Sequence, residues 1–139
     1  PMVFDNFAKG KKAQWFISDQ IKHSFTYTPD AGKATALLGN TDHAYNQVWH
    51  IPTDKNVPTG KEFLELAATA FGVQPNYMVL KKWMVQMAGL FNGDIKESVE
   101  MLYQSEHDYL FDSSKFEKAF NVQPTFYKDG LVEVAQSYK

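Results

Sequence analysis

The chain has 139 residues, about the length of one domain, and its 44% hydrophobic and 15% aromatic content is enough to build a core. Its 14 basic residues, all lysine, against 16 acidic residues exclude the strong positive charge typical of proteins that bind nucleic acid or anionic membranes. The absence of cysteine excludes disulfides and thiolate metal sites, and no apolar run approaches the roughly 18 residues that span a bilayer. We therefore expect a cytoplasmic protein.

Short stretches rich in β-branched and aromatic residues predict strands along the chain. The predicted strands are 13–17, 24–28, 47–51 and 76–80. Pro52 closes the third of them, because proline cannot donate to a sheet ladder. These strands are too few and too scattered for a doubly wound sheet, so we expect some to pair with chain outside this sequence.

Apolar residues at helical spacing predict helices between these strands. The predicted helices are 2–9, 29–38, 59–72, 82–91, 94–103, 114–120 and 130–138. Thr59 and Glu62 have the spacing of a capping box, and Ser113 or Ser114 is expected to cap the sixth helix. The chain is therefore predicted to be a mixed α/β domain without repeats or an internal linker.

Tyr77 and Lys81 have the Tyr-x-x-x-Lys spacing that, on a helix, lets the ammonium lower the pKa of the phenol. The residues between them favour a strand, in which four residues span about 13 Å, so we do not expect the pair to meet. Four acidic residues are predicted to form an exposed helical face and its loop, with no catalytic role. They are Glu97, Glu100, Glu106 and Asp108.

The four histidines lack the short spacings of a metal site, so no metal is expected. His50 is predicted to be a hydrogen-bonded core residue, whereas His43 and His107 are predicted to lie at the surface. The glycines form neither a dinucleotide-binding turn nor a phosphate loop, and no serine lies in a hydrolase elbow. Seven aromatic residues are expected either to line a pocket for a flat ligand or, for most of them, to fill the core. They are Trp15, Phe16, Phe25, Tyr27, Trp49, Trp83 and Phe91.

Four motifs follow one another in a specific order. They are K-H-S-F-T-Y-T-P-D-A-G-K-A from Lys22, Y-N-Q-V-W-H-I-P-T from Tyr45, T-G-K-E-F-L-E-L from Thr59 and D-S-S-K-F-E-K-A-F-N-V-Q-P-T from Asp112. Together they resemble the C-terminal part of an extended short-chain dehydrogenase/reductase of the NAD-dependent epimerase/dehydratase family. In that family a basic residue, an aromatic, a tyrosine and an aspartate lead from a strand into a helix. Lys22 or His23, Phe25, Tyr27 and Asp30 occupy those places.

The resemblance implies an α/β fold, the C-terminal part of a Rossmann-type protein, with several helices and a few short strands. Strand 47–51 would return to the Rossmann sheet. In the family, the glycine-rich turn and the catalytic Tyr-x-x-x-Lys precede this region, so NAD or NADP would be bound mainly by an N-terminal Rossmann half that is absent here. Residues 1–139 are therefore expected to be one substrate-binding segment from the interior of a longer protein, with no catalytic, cofactor-binding or metal-binding residue of its own.

The resemblance also implies that this region forms one wall of a substrate cleft. The expected substrate contacts are Phe4, Asn6, Trp15, His23 and Tyr27. Nucleotide-sugar members of the family usually place an arginine at Lys22 or His23, where it grips a diphosphate, and this chain has no arginine. A small carbonyl or hydroxyl compound is thus favoured, and a sugar-like substrate stays open.

The expected partners are a small-molecule substrate and the missing Rossmann half, and homo-oligomers are compatible with the resemblance. The alternative is a non-catalytic binding or regulatory module built on an epimerase-like scaffold.

Overall fold

The computed structural model describes residues 2–90, 97 and 99–138. Within those ranges six α-helices accompany two strands. The helices are α1 (Phe4–Ala8), α2 (Thr28–Gly39), α3 (Gly60–Phe71), α4 (Lys82–Gly89), α5 (Ser114–Phe120) and α6 (Tyr127–Gln136), and the strands are β1 (Ala13–Phe16) and β2 (Tyr77–Leu80). Short 3₁₀ helices cover Asp42–Ala44 and Glu100–Ser105. The predicted α/β class is confirmed.

The two strands pair in parallel, with Ala13 opposite Tyr77 and Phe16 opposite Leu80. Because parallel neighbours need a long crossover, the chain passes through α2 and α3 before β2 returns beside β1. Strands 13–17 and 76–80 were both predicted correctly to within one residue.

The extended backbone of β2 keeps Tyr77 and Lys81 apart, as predicted. The Tyr77 hydroxyl instead donates to Asp19 Oδ2 at 2.8 Å. Burial, together with that hydrogen bond, raises the pKa of Tyr77 to about 12. A phenol with so high a pKa stays protonated at neutral pH, which is consistent with a structural role.

The core centres on one face of α3, where Phe63, Leu64 and Ala67 are buried. This face packs against Phe7 of α1 and Leu131 of α6. The predicted capping box is present at the start of α3. The side-chain oxygen of Thr59 accepts from the Glu62 amide at 3.3 Å, and Glu62 Oε2 accepts from the Thr59 amide at 2.8 Å. Gly72 ends the helix in the left-handed conformation with φ of 68°.

Strand 24–28 was wrongly predicted. The backbone makes isolated bridges just before it, from Lys22 to Thr59 and from His23 to Tyr109, and then runs unpaired into α2. The amide of Phe25 donates to the hydroxyl of Tyr127 at 3.0 Å instead of to a neighbouring strand. Strand propensity was therefore present without a strand to pair with.

Strand 47–51 was also wrongly predicted, because the segment is irregular. Side chains of α5 and of its preceding loop take the place of a ladder. Lys115 Nζ donates to the Val48 carbonyl at 2.9 Å, and His50 Nδ1 lies 3.0 Å from the Asp112 carbonyl. His50 makes the hydrogen bond predicted for it but is exposed, so its placement in the core was wrong. His43 and His107 are exposed as predicted.

Helices 29–38, 59–72 and 82–91 were predicted close to their observed positions, and Pro29 lies in the first turn of α2. Of the helix predicted over 94–103, residues 94–96 and 98 lie outside the described residues; 97 and 99 are helical, and the rest belongs to the 3₁₀ helix Glu100–Ser105. The helix predicted over 130–138 begins three residues earlier, at Tyr127.

Serine capping of α5 was predicted and is replaced by a different arrangement. Asp112 Oδ1 accepts the Ser114 amide at 2.9 Å at the helix start. Ser113 is buried, and its hydroxyl donates to Glu117 at 2.8 Å and accepts the Thr53 amide at 3.1 Å.

In the described part of the chain, no helix has the length and apolar character needed to cross a bilayer.

Candidate functional site

A pocket of about 410 Å³ opens between α1, β1, α3 and the segment that follows β1. We call it the aromatic pocket. Its lining residues are Met2, Val3, Phe4, Gln14, Trp15, Phe16, Ser18, Ile21, His23, Phe25, Phe63 and Ser105. Its volume lies at the lower end of the about 300–1,000 Å³ range of small-molecule sites.

Four aromatic rings form the inner wall of the aromatic pocket. Phe63 of α3 lies at the centre, with ring centroids 4.9 Å from Phe25, 5.8 Å from Trp15 and 6.2 Å from Phe4. Trp15 and Phe25 meet edge to face at 76°. Such contacts favour defined ring orientations, so most of the wall is formed before any ligand enters, and the exposed Phe25 is the ring with most freedom to move.

The position of Trp15 depends on the start of α3. A Cβ built on Gly60 would lie 2.5 Å from Trp15 Nε1, so only glycine leaves room for the indole. The indole nitrogen donates to the Ser18 carbonyl at 2.9 Å. The tryptophan therefore presents a ring to the pocket while its polar atom is satisfied elsewhere.

His23 brings a polar group to this largely apolar wall. Its ring stacks on Phe25 at 6.1 Å and lies 6.0 Å from the ring of Tyr109. Backbone hydrogen bonds from Ser24 to Tyr109 and from Tyr109 to Lys22, both 2.9 Å, hold this segment in place. Among the described residues His23 Nε2 is buried without a hydrogen-bond partner.

Lys22, the alternative basic residue at this position, lines a different pocket. That pocket has a volume of about 590 Å³ and contains Glu62 and Glu65. The side chains of Lys22 and His23 therefore line different pockets, and of the two only His23 lines the aromatic pocket.

Tyr27 lines a second pocket of about 220 Å³, which shares Phe4, Phe25 and Phe63 with the first. Its hydroxyl donates to Glu133 Oε2 at 2.6 Å, and this hydrogen bond raises the pKa of Tyr27. The ring of Tyr27 is therefore available to a ligand, while its hydroxyl is already occupied.

The aromatic pocket thus brings together three of the expected contacts, Phe4, Trp15 and His23. Tyr27 lines the adjoining second pocket. Asn6 lines neither pocket, and its side chain donates to the Met2 carbonyl at 2.9 Å.

Sequence reasoning did not name Phe63 as a ligand contact. It also missed Gln14, Ser18, Ile21 and Ser105, which no pattern in the chain distinguishes as pocket residues.

The described residues do not fit a dinucleotide cofactor. Such a site needs glycines at a helix N-terminus whose backbone stays open to phosphate. Gly60 opens α3, but the Trp15 indole covers it at the distance given above. In the described ranges no cluster of three or more histidines and carboxylates could hold a metal ion.

No family model matches the chain, and the comparison with curated proteins gives no match either. Among solved structures, the chain is similar to the crystal structure of UDP-N-acetylglucosamine 4-epimerase from Bacillus cereus, with a TM-score of 0.66 at 16% sequence identity. The similarity covers 99% of this chain but 39% of that one, so this chain spans well under half the length of the epimerase. At this low identity the likeness concerns the fold: the chain has an epimerase-like scaffold.

Proposed function

We propose that the chain is the substrate-binding portion of an NAD(P)-dependent epimerase/dehydratase or reductase that acts on a sugar-like or small carbonyl or hydroxyl compound. One observation carries this proposal. Phe4, Trp15 and His23, expected as substrate contacts from the family resemblance, line one pocket on an epimerase-like scaffold.

The residues of this chain bind and orient the substrate in the proposed function. The rings of Phe4, Trp15 and Phe63 cover the apolar part of the ligand and exclude water, and His23 supplies a hydrogen bond to its polar part. NAD or NADP supplies the hydride chemistry when bound. It would be held by a Rossmann half outside this chain, because the described residues do not fit it. The chain alone is then not catalytically competent.

The proposed partner is this Rossmann half, in the cytoplasm, and a second copy of the chain is compatible with the same arrangement. The irregular segment 47–51 supports a missing neighbour, because Val48 is apolar and 81% exposed. In the complete protein the Rossmann half would cover this exposed side chain.

The test is a ligand screen by NMR with the 139-residue chain, using sugars, nucleotide sugars and small carbonyl compounds. The indole N–H signal of Trp15 reports on the pocket, and those of Trp49 and Trp83 serve as internal controls. The proposal expects a ligand that shifts the Trp15 signal alone, and no specific binding of NAD or NADP by calorimetry. Tight cofactor binding to this chain, or no ligand that reaches Trp15, would contradict it.

The alternative, a non-catalytic binding or regulatory module, is supported by the same pocket, because its described lining can bind a ligand without carrying out a reaction. The upstream reading frame separates the two. A glycine-rich strand–turn–helix followed by Tyr-x-x-x-Lys supports the enzyme, whereas a Rossmann turn with the tyrosine replaced supports the module. An unrelated upstream sequence would count against both.

A further inference from the structure

We propose that the aromatic pocket takes an uncharged cyclic carbonyl or hydroxyl compound, such as an aromatic ketone or alcohol, and rejects anionic ligands including nucleotide sugars. This inference rests on the proposed function and narrows its substrate class. Three features of the pocket support it: no charged side chain among its described lining residues, a buried nitrogen of His23 that no described residue bonds, and the arrangement of the rings.

Among the described residues, the lining of the aromatic pocket includes no lysine, aspartate or glutamate. Lys22, the lysine nearest along the chain to His23, lines the neighbouring pocket with Glu62 and Glu65. A diphosphate placed against these rings would therefore lose its hydration without gaining a cation from the described lining. Burying an unpaired charge is strongly unfavourable, so such ligands are rejected.

His23 Nε2 is buried without a partner among the described residues, and an unpaired buried polar atom is costly. The ring of Phe25 stacks on His23 and is 40% exposed, so an outward movement of this one ring would uncover Nε2. A ligand oxygen entering beside it would supply the missing hydrogen bond. A carbonyl accepts from a protonated Nε2, whereas a hydroxyl suits either tautomer.

The size and shape of the site select a cyclic ligand. Phe4, Trp15, Phe25 and Phe63 present ring faces and edges around about 410 Å³, which suits a compound of one or two fused rings. The second pocket of about 220 Å³ adjoins across Phe4, Phe25 and Phe63 and offers room for an apolar substituent.

The experiment compares four ligands on the 139-residue chain by calorimetry and by the Trp15 indole NMR signal. The ligands are acetylnaphthalene, which is a neutral ketone; ethylnaphthalene, which lacks the oxygen; naphthoate, which carries a carboxylate; and UDP-N-acetylglucosamine. The ketone should bind and shift the Trp15 signal, and it should bind about tenfold more tightly than ethylnaphthalene because of the hydrogen bond to His23. Naphthoate should bind at least about tenfold more weakly than the ketone.

A His23→Phe variant keeps an aromatic ring and removes the nitrogen. It should bind the ketone and ethylnaphthalene with equal affinity, whereas the matched Lys22→Gln variant should keep the tenfold difference. If the His23→Phe variant fails to fold, the difference in affinity between acetylnaphthalene and ethylnaphthalene on the wild-type chain still measures the contribution of the ligand oxygen.

Equal binding of the ketone and naphthoate would overturn the inference, as would equal binding of the ketone and ethylnaphthalene to the wild-type chain. UDP-N-acetylglucosamine binding at Trp15 without ketone binding would overturn it while leaving the proposed function intact. If no compound of any class shifted the Trp15 signal, the inference and the proposed function would both fail.

Discussion

The indole of Trp15 lies directly over the backbone of Gly60, at the first residue of α3. A Cβ on Gly60 would approach three indole atoms, at 2.5 Å from Nε1, 2.7 Å from Cε2 and 2.9 Å from Cζ2. Real Cβ atoms do not come so close to other heavy atoms. The Trp15 indole can therefore keep this position in the pocket wall only if the first residue of α3 is glycine.

Gly60→Ala should therefore lower the free energy of unfolding by about 1–3 kcal/mol, because the indole or the helix start must move to relieve the clash. The displaced indole should also weaken ligand binding in the aromatic pocket. Urea unfolding followed by tryptophan fluorescence measures the first effect. Gly39→Ala is the matched control, since no atom lies within 4 Å of a Cβ there, and its stability should be unchanged or slightly raised.

Asp30 connects the start of α2 to the segment before α6. Its carboxylate accepts the Thr125 amide at 2.7 Å and the Thr125 hydroxyl at 3.0 Å. Asp30→Ala should lower the free energy of unfolding by about 1–3 kcal/mol, because it leaves the partly buried Thr125 amide without this acceptor. Thermal and urea unfolding check the value.

Asp129 provides the control for that experiment, because it is the third residue of α6 as Asp30 is of α2, and it is exposed. Both acids interact favourably with a helix N-terminus, but only Asp30 bonds to Thr125. Asp129→Ala should therefore cost less than Asp30→Ala. Equal losses would show that the contact with Thr125 contributes nothing beyond the helix dipole.

Glu117 makes stability depend on pH. Burial opposes its ionisation, but hydrogen bonds from Lys55 and Ser113 outweigh this effect, so the pKa of Glu117 is lowered from its ordinary value of 4.5. A lowered folded-state pKa gives stability that is fully present above the unfolded value and is lost as the pH falls through the folded value. The wild-type chain should therefore lose stability on acidification below 4.5.

Glu117→Gln should remove this part of the pH dependence and lower stability at neutral pH by about 1–3 kcal/mol, because a buried network is disturbed. Urea unfolding at a series of pH values gives both quantities. Glu65→Gln, at an exposed residue whose nearest lysine Nζ lies 4.0 Å away, should leave the curve close to wild type. The same slope in the wild-type chain and in Glu117→Gln would place the pH dependence elsewhere.

The outer face of α4 is apolar and exposed. Trp83, Met87 and Leu90 recur at helical spacing and are 64%, 53% and 73% exposed. Contiguous apolar surface favours association, so the isolated chain should form concentration-dependent oligomers. Light scattering over a dilution series should show this, and a Trp83→Lys, Met87→Lys double variant should shift the distribution towards monomer.

Val132→Lys is the comparison variant for association, because Val132 is an exposed apolar residue on α6 rather than on α4. It should associate as the wild-type chain does. A wild-type chain that stays monomeric at high concentration would contradict the prediction.

The elements predicted well from the sequence are those specified by local signals. The capping box at Thr59, the end of α3 at Gly72 and the start of α2 at its proline each depend on a few adjacent residues. Strands 24–28 and 47–51 failed because a strand also requires a partner, which local composition cannot supply. The same limitation explains why the Tyr127–Phe25 hydrogen bond was not foreseen.

The expected substrate contacts are only partly brought together by the structure. Phe4, Trp15 and His23 were expected from the family resemblance, and they line one pocket. The direction of a side chain depends on long-range packing, so the sequence could not separate His23 from Lys22 or place Tyr27 in the adjoining pocket. The side-chain amide of Asn6 donates to the Met2 carbonyl, so this polar residue near the site does not face it.

The parallel pairing of β1 with β2 has a consequence for the order of events during translation. Strand β1 ends at Phe16, but its hydrogen-bonding neighbour begins at Tyr77, so a growing chain leaves the ribosome with β1 unpaired through the synthesis of α2 and α3. Domains acquire such contacts between distant segments slowly. Nascent chains that stall before Tyr77 would therefore display the Trp15 segment without its sheet neighbour, as an aromatic stretch open to chaperones.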